Sequence, residues 1–278
     1  MAASQIVTLP TMPKRSSQSG ANKVICLGTG DGWPCADRNH SSYLYELAGT
    51  RVLIDCGESV ARSLTARKFD WNLLDAIVLS HTHADHIGGL FMLLQGLWLE
   101  GRSRDLKLYL PGHVIGPLQQ MLLHGYLFEE LFGFKLQCVA LQAGHPLKIG
   151  ALKVTPFSTS HLDGLRMAFH KKYRVGFDAY GFVLEGAGLR IVHSADLGVP
   201  EDLLPLLQKP VDLLICELAH FMPGDLFTTL RGHAIKRAAF IHIARNLRQR
   251  LASVKRLAAQ RLPDLPCVFP KDGDSLHL

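Results

Sequence analysis

The sequence predicts an α+β protein in which two similar layers of strands and helices pack face to face, with a cleft at one edge. The chain runs from strands through a helix to a loop rich in polar side chains, and then through strands and helices again. In both halves a polar residue stands where an apolar strand ends. Of the 278 residues 47% are hydrophobic, which is enough for a large core.

The composition is typical of a globular protein. No apolar run approaches the roughly 18 residues that a membrane span needs, so no membrane contact is expected. The six cysteines are scattered without a C-x-x-C pair, which is typical of reduced thiols in a cytoplasmic protein. A net charge of +6 favours anionic substrates but is too small to indicate nucleic acid. Residues 1–21 are expected to form a disordered tail before a single domain over residues 22–278.

The first half begins with short strands. An apolar run predicts a strand that enters a glycine-rich turn at residues 28–34, and two further strands and a short helix follow. A buried strand, led by Asp75, then enters the polar loop. The predicted strands are 24–27, 38–47 with a polar entry, 50–55 and 73–79, and the predicted helix is 59–68.

More strands and helices follow the polar loop, and a second set of strands begins at residue 152. Segment 115–134 is unusually apolar and predicts a core helix, with a lid or a homodimer contact as alternatives. Segment 245–262 predicts a basic helix with a solvated charged face, and contact with nucleic acid is the alternative. The predicted strands after the polar loop are 106–112, 152–157, 180–185, 189–193 and 211–216.

The segment Ser80 to His86 is the strongest functional signal in the chain. It places His81, His83, Asp85 and His86 in an H-x-H-x-D-H pattern between a predicted strand and an apolar helix. Imidazole nitrogens and carboxylate oxygens suit zinc, manganese or iron. Because four ligands on one tight turn cannot all point at a single tetrahedral ion, the pattern favours two adjacent metal ions. Such a pair suits hydrolysis.

Three more ligands are expected at strand ends, where rigid elements fix their positions. His161, Asp196 and His242 each close an apolar run. In the expected division, the first two histidines of the loop and His161 hold one ion, and Asp85, His86 and His242 hold the other. Asp196 and a hydroxide lie between the ions. The hydroxide is the predicted nucleophile, and Asp85 is counted both as a ligand and as a catalytic residue.

A proton donor for the leaving group is expected beside the metal ions. His220 and Glu217 lie where a further apolar strand ends, and an imidazole at that place can donate a proton. His233, which follows Gly232, is the competing candidate.

With these residues the chain resembles the metallo-β-lactamase superfamily from about residue 23 to its end, and it looks most like the branch of ribonuclease Z and related phosphodiesterases. The motifs that carry the resemblance are Leu27 to Gly30, Arg38 to Ser42, Ile54 to Glu58, the six-residue metal loop and the Asp272-Gly273 turn. The resemblance implies a four-layer αββα sandwich with the metal ions at the edge between its two sheets. It also implies the ligand assignment above, with Asp196 as the bridge, and suggests that Asp55 orients the metal loop by hydrogen bonds.

The branch divides on substrate. Ribonuclease Z carries a long arm that grips transfer RNA between its equivalents of His161 and Asp196, whereas this chain has a small basic loop there, at 166–174. It also carries Gly-His-Ser-Thr ahead of its last ligand, where this chain has Gly-His-Ala. Phosphodiesterases of phosphonate degradation carry a histidine at the place of His220. Their extra structural zinc is expected to be absent, since only Cys35 of its cysteines is present.

These features predict a binuclear metal-dependent hydrolase, most specifically a phosphodiesterase, in which a metal-bridging hydroxide attacks and His220 protonates the leaving group. The expected cofactors are two divalent metal ions, zinc first, with manganese or iron as alternatives. The expected partner is a small anionic phosphodiester, or alternatively RNA, and Lys171, Lys172 or Arg174 is expected to hold a second anionic group. The alternative functions are a ribonuclease Z-like RNA endonuclease, a lactonase or thioesterase, and a non-catalytic sensory protein.

Overall fold

The computed structural model describes residues 22–278 and confirms the predicted αββα sandwich. Two seven-stranded sheets pack face to face, and helices cover the outer face of each. The tail expected at residues 1–21 lies outside the described residues. The single domain expected over residues 22–278 stays a prediction.

The first sheet contains the strands that precede and follow the metal loop. Its strands are β1 (Lys23–Gly28), β2 (Ser42–Leu47), β3 (Thr50–Ile54), β4 (Ala76–Val78), β5 (Leu106–Pro111), β6 (Leu136–Leu141) and β14 (Ser275–His277). They lie in the order β14-β1-β2-β3-β4-β5-β6, and the pairs from β3 to β6 are parallel. The helices of this half are α1 (Val60–Ala66), α2 (Ala84–Ile87), α3 (Leu90–Leu99) and α4 (Ile115–His124).

The second sheet also has parallel pairs at one end and antiparallel pairs at the other. Its strands are β7 (Leu147–Ile149), β8 (Leu152–Ser158), β9 (Tyr180–Gly186), β10 (Leu189–His193), β11 (Leu213–Leu218), β12 (Ala238–Ile243) and β13 (Cys267–Val268). They lie in the order β13-β12-β11-β10-β9-β8-β7, in which the pairs from β10 to β13 are parallel and those from β7 to β10 are antiparallel. The helices of this half are α5 (Asp163–Phe169), α6 (Pro223–Leu230), α7 (Arg245–Arg248) and α8 (Leu251–Arg261).

The alternation of side chains along the strands builds the layers. In β2, Tyr43, Tyr45 and Leu47 belong to the core between the two sheets, while Leu44 packs with the outer helices α1 and α3. This is the period of two that a strand imposes on its side chains. Since both faces of each sheet are covered, apolar residues occupy nearly every position of the central strands.

The predicted helix over 115–134 is wrong in its second half. Helix α4 ends at His124, and Tyr126 has a φ of 58°, in the left-handed region that bulky residues rarely adopt. A short 3-10 turn at Glu129–Leu131 leads into β6, which the sequence pattern missed. Met121, Leu123 and Tyr126 are exposed, so the segment is a core helix only on one face.

The predicted helix over 245–262 is two helices, α7 and α8. Asp31, in the loop after β1, accepts hydrogen bonds from the backbone N–H of Arg245 and from the guanidinium of Arg248. This contact holds α7 against the first loop, and the helical path restarts at Leu251. A contact between residues so far apart in the chain leaves no mark on local spacing.

Strand direction explains where the functional residues meet. Strands β10, β11 and β12 are parallel, and β8 runs the same way because both β8 and β10 are antiparallel to β9. Their carboxyl ends therefore lie at one edge of the second sheet, and the ends of β3 and β4 share an edge of the first. In open α/β sheets, ligands bind at such edges. Over residues 22–278 every helix is too short or too polar to cross a membrane.

Candidate metal centre

The loop between β4 and α2 is held by a buried carboxylate. Parallel pairing of β3 with β4 brings Asp55 beside Ser80. Asp55 accepts hydrogen bonds from the backbone N–H of Ser80 at 2.7 Å and from its hydroxyl at 2.8 Å. Its Oδ2 also lies 2.7 Å from Nδ1 of His86. An imidazole that donates from Nδ1 to a carboxylate keeps its Nε2 lone pair for a cation, so Asp55 orients this loop.

Three strand ends of the second sheet face this loop. His161 follows β8, Asp196 follows β10 and His242 lies near the end of β12. Ser41 Oγ lies 2.9 Å from Nδ1 of His242, which leaves Nε2 of that ring directed at the site. Ala195 and His242 have φ angles of 47° and 45°, in the left-handed region. Such backbone is uncommon outside glycine and concentrates at functional sites.

The structure brings all seven predicted ligand side chains together in two clusters. The first contains His81, His83, His161 and Asp196, whose ligand atoms lie within 4.8 Å of one another. Nδ1 of His83 is 3.1 Å from Nε2 of both His81 and His161. Oδ2 of Asp196 lies 3.8 Å from Nε2 of His81 and 3.6 Å from Nε2 of His161.

The second cluster contains Asp85, His86, His242 and again Asp196. The other oxygen of Asp196, Oδ1, lies 3.3 Å from Nε2 of His86 and 3.5 Å from Nε2 of His242. Oδ2 of Asp85 is 3.4 Å from Nε2 of His86 and 3.7 Å from Nε2 of His242. One carboxylate therefore presents one oxygen to each cluster.

The chemistry of the two clusters fits divalent cations. Nε2 of His86 and Oδ1 of Asp196 are buried without a hydrogen-bond partner. Burial lowers the pKa of His81 well below its usual value and lowers the pKa of His161 to about 4. Burial opposes ionisation of Asp196, but the imidazoles of His242 and His86 hold its pKa well below the usual range. The neutral imidazoles of His81 and His161 and the ionised carboxylate of Asp196 are the forms that bind metal ions. At His86 burial opposes protonation, but the charges of Asp196 and Asp55 outweigh it and raise the pKa, so a cation bound there would displace a proton.

His220 stands beside the first cluster, after β11. Its Nε2 is 3.8 Å from Oδ2 of Asp196, and its Nδ1 is 2.8 Å from Oε1 of Glu217. The buried Glu217 carboxylate also accepts hydrogen bonds from the backbone N–H groups of Leu197 and Ala219. Although burial opposes protonation, the hydrogen bond and the charge of Glu217 raise the pKa of His220 to about 9.

The competing proton donor, His233, lies elsewhere. Its Nδ1 is 3.3 Å from the carbonyl oxygen of Leu207. His220 lines the pocket above the two clusters, whereas His233 takes no part in that lining. The geometry therefore favours His220 for proton transfer, and its role stays a prediction.

The pocket has a volume of about 670 Å³, within the range of small-molecule sites. Five polar or aromatic residues that line it were not predicted from the sequence: Asp31, Trp33, Arg245, Asn246 and Gln249. Of these residues, only Trp33 stands out in the sequence, because a large aromatic side chain is unusual in a glycine-rich turn. Lys171, Lys172 and Arg174 are exposed and do not line this pocket, so their predicted contact with a second anionic group stays a prediction. Arg245 is the cation that lines the pocket.

The chain is similar to known sequences. A family model described as a beta-lactamase superfamily domain matches residues 50–243. Ribonuclease Z of Archaeoglobus fulgidus is 31% identical over 140 residues, which cover 50% of this chain and 44% of that protein. Ribonuclease Z of Thermococcus onnurineus is 26% identical over 301 residues, which cover 91% of this chain and 94% of that protein. The chain spans about half the length of several curated relatives that it matches.

Solved structures agree on the fold. The metallo-beta-lactamase fold protein YhfI of Bacillus subtilis has a TM-score of 0.75 at 20% identity, covering 93% of this chain and 100% of that one. The short form of human tRNase Z has a TM-score of 0.68 at 18% identity, covering 91% and 98%. Zinc-bound PqqB of Methylobacterium extorquens has a TM-score of 0.66 at 17% identity, covering 92% and 100%. This fold family implies divalent metal ions.

Proposed function

The chain belongs to the beta-lactamase superfamily, and we propose that it is a metal-dependent hydrolase that cleaves phosphodiesters. Membership of the family agrees with the predicted class, a metal-dependent hydrolase. The observation that carries the proposal is the pair of side-chain clusters that share Asp196, each with its ligand atoms within 4.8 Å. Two adjacent cation sites with a shared carboxylate suit hydrolysis of a phosphate ester.

The proposed ligands divide between two ions. His81, His83 and His161 would hold one ion, and Asp85, His86 and His242 the other, with Asp196 shared. Bound divalent cations supply positive charge that polarises the phosphate and makes a water molecule nucleophilic at neutral pH. The nitrogen-rich donor set favours zinc, and manganese and iron remain alternatives.

The remaining residues position groups and move a proton. Asp55 and Ser41 fix the rings of His86 and His242 by hydrogen bonds to Nδ1. Glu217 accepts from Nδ1 of His220 and so directs Nε2 of that ring into the pocket. An N–H at this nitrogen donates to the leaving alkoxide as the P–O bond breaks, which is general acid catalysis.

A ribonuclease Z-like RNA endonuclease is the second candidate, because the first curated relatives bear that name. One structural observation favours a smaller substrate. Between His161 and Asp196 the chain forms only the seven-residue helix α5, a basic loop and strands β9 and β10. This segment offers little surface for gripping a folded RNA.

Metal analysis and a substrate panel test the proposal. Purified protein is expected to contain two divalent ions per chain and to hydrolyse bis(p-nitrophenyl) phosphate and cyclic nucleotides faster than lactones or thioesters. Faster cleavage of a precursor transfer RNA supports the endonuclease instead, and faster cleavage of lactones or thioesters supports a carbonyl esterase. Full metal content without any hydrolysis supports a sensory protein.

Location and assembly belong to the same proposal. We propose a cytoplasmic location and a single domain over residues 22–278, as the sequence predicts. A homodimer through the segment that exposes Met121, Leu123 and Tyr126 is a further part of it, because all three side chains are large, apolar and exposed. Light scattering of the purified protein, with Leu123→Glu as the disrupting variant, tests this contact.

A further inference from the structure

Trp33 is a large apolar side chain at the rim of the proposed active site. It is 62% exposed and lines the same pocket as Asp85, His220 and His242. A single exposed apolar side chain on a protein surface needs no explanation. The surroundings of Trp33 therefore decide whether it has a role.

Arg245 lies against the indole ring. Its guanidinium carbon is 5.9 Å from the centroid of the Trp33 ring, which is within range of a cation–π contact. Arg245 lines the pocket as well, so the pair presents an aromatic surface and a positive charge to the same space. A planar ring that enters this space can stack on the indole, and a nearby phosphate can meet the guanidinium.

Asp31 holds this pair in place. It is buried, and it accepts a hydrogen bond from the backbone N–H of Arg245 at 2.7 Å and from the guanidinium of Arg248 at 3.2 Å. The loop that carries Trp33 is thereby fastened to α7, which carries Arg245. The two side chains thus begin on fixed backbones, and less entropy is lost when a ligand orders them.

Two side-chain amides stand in the same pocket. Asn246 and Gln249 both line it, next to Arg245. An amide offers a donor and an acceptor together, which is the pattern along the edge of a nucleobase. A sugar phosphate or a lipid headgroup has no flat aromatic ring that could stack on the indole.

We propose that Trp33 and Arg245 form a subsite for an aromatic base attached to the scissile phosphodiester, so that the substrate is a nucleotide diester. This inference rests on the proposed phosphodiesterase function and names its substrate class. Trp33 and Arg245 take no part in bond breaking. They determine which diester is held above the two clusters.

A matched pair of substrates tests the subsite. The methyl ester of adenosine 5′-monophosphate and the methyl ester of ribose 5-phosphate differ only in the base. In the zinc-loaded wild-type enzyme the base is expected to lower KM by about tenfold to a hundredfold, the usual worth of stacking one base. Trp33→Leu is expected to remove most of this difference, and Trp33→Phe, which keeps an aromatic ring, to retain part of it.

Tyr126→Leu is the matched control. Tyr126 is 74% exposed and lies outside the pocket, so its replacement is expected to leave the difference in KM between the two substrates unchanged. Equal KM values for the two substrates in the wild-type enzyme overturn the subsite. A difference that is the same in Trp33→Leu as in Tyr126→Leu also overturns it.

Calorimetric titration separates this inference from the proposed function. Adenosine 5′-monophosphate is expected to bind the wild-type protein at least about tenfold more tightly than ribose 5-phosphate, and Trp33→Leu to lose that preference. This result supports the subsite even if no phosphodiester is hydrolysed. Hydrolysis of phosphodiesters without a preference for the base keeps the proposed function and removes the subsite.

Discussion

The two halves of the molecule contribute to the candidate metal centre in different ways. The first half supplies its proposed ligands from one short segment, His81 to His86, which runs from the loop after β4 into helix α2. The second half supplies His161, Asp196 and His242 from the ends of three separate strands. Ligands that are close in the chain form a motif that can be recognised in the sequence. The ligands of the second half are far apart in the chain and meet only because strands β8, β10 and β12 run in the same direction.

The halves also differ in how they orient a histidine. A buried carboxylate, Asp55, lies 2.7 Å from Nδ1 of His86 in the first half, and a hydroxyl, Ser41, lies 2.9 Å from Nδ1 of His242 at the end of β12. Hydrogen bonds to a charged group are about twice as strong as neutral ones. The loop should therefore depend more on its supporting residue than the strand end does.

The largest expected effect comes from the residue that both clusters share. Asp196→Ala should lower kcat/KM for a phosphodiester by about 10⁴-fold, because each ion contributes several kcal/mol of charge stabilisation and roughly 1.4 kcal/mol is tenfold in rate. His161→Ala, which alters one cluster only, should leave at least one ion bound. Metal content measured by mass spectrometry and steady-state kinetics check both variants.

Equal metal content in Asp196→Ala and in wild-type protein would contradict the shared role of Asp196. Loss of both ions in His161→Ala with none lost in Asp196→Ala would reverse the assignment of the two residues.

The next effect concerns proton transfer. His220→Ala should lower kcat by about a hundredfold or more, the usual contribution of a general acid, while metal content stays near that of wild type. His233→Ala is the matched control, because His233 contacts Leu207 and not the clusters. If His233→Ala loses activity and His220→Ala keeps it, the proposed donor is wrong. Leaving groups of low pKa should reduce the loss in His220→Ala, since they need no proton.

A smaller effect separates the two supporting residues. Asp55→Asn should weaken metal affinity by about tenfold to a hundredfold, as for other carboxylates that orient a ligand histidine. Ser41→Ala should weaken it less, by about tenfold at most, because a neutral hydrogen bond contributes about 1 kcal/mol. Competition with a chromophoric chelator measures both affinities. A larger loss in Ser41→Ala than in Asp55→Asn would contradict this comparison of the halves.

The smallest effect on activity is expected from a substitution in the core between the two sheets. The hydroxyl of Tyr45, on β2, lies 2.9 Å from Nδ1 of His193, on β10, in the buried core. Tyr45→Phe should lower the free energy of unfolding by about 1 kcal/mol, since a buried ring nitrogen loses its partner. Metal content and kcat should stay unchanged, and urea denaturation with kinetics checks both. A loss of metal would extend the functional site into the core.

The metal loop was predictable because its ligands lie within six residues of the chain. The αββα layers were predictable because this loop, with other motifs, makes the chain resemble the metallo-β-lactamase superfamily. The end of α4 at His124 was not predictable, because the apolar residues after it continue a helical spacing that the left-handed backbone of Tyr126 interrupts. Trp33 and Arg245 were missed for another reason. They meet through Asp31, and a contact across more than two hundred residues leaves no periodicity to detect.

The most direct test of the shared centre is anomalous X-ray diffraction from zinc-loaded crystals at the zinc absorption edge. The account predicts two peaks roughly 3.5–4 Å apart, the usual spacing of a two-metal site, one in each cluster and both in contact with Asp196. A single peak, or peaks bound away from Asp196, would contradict it.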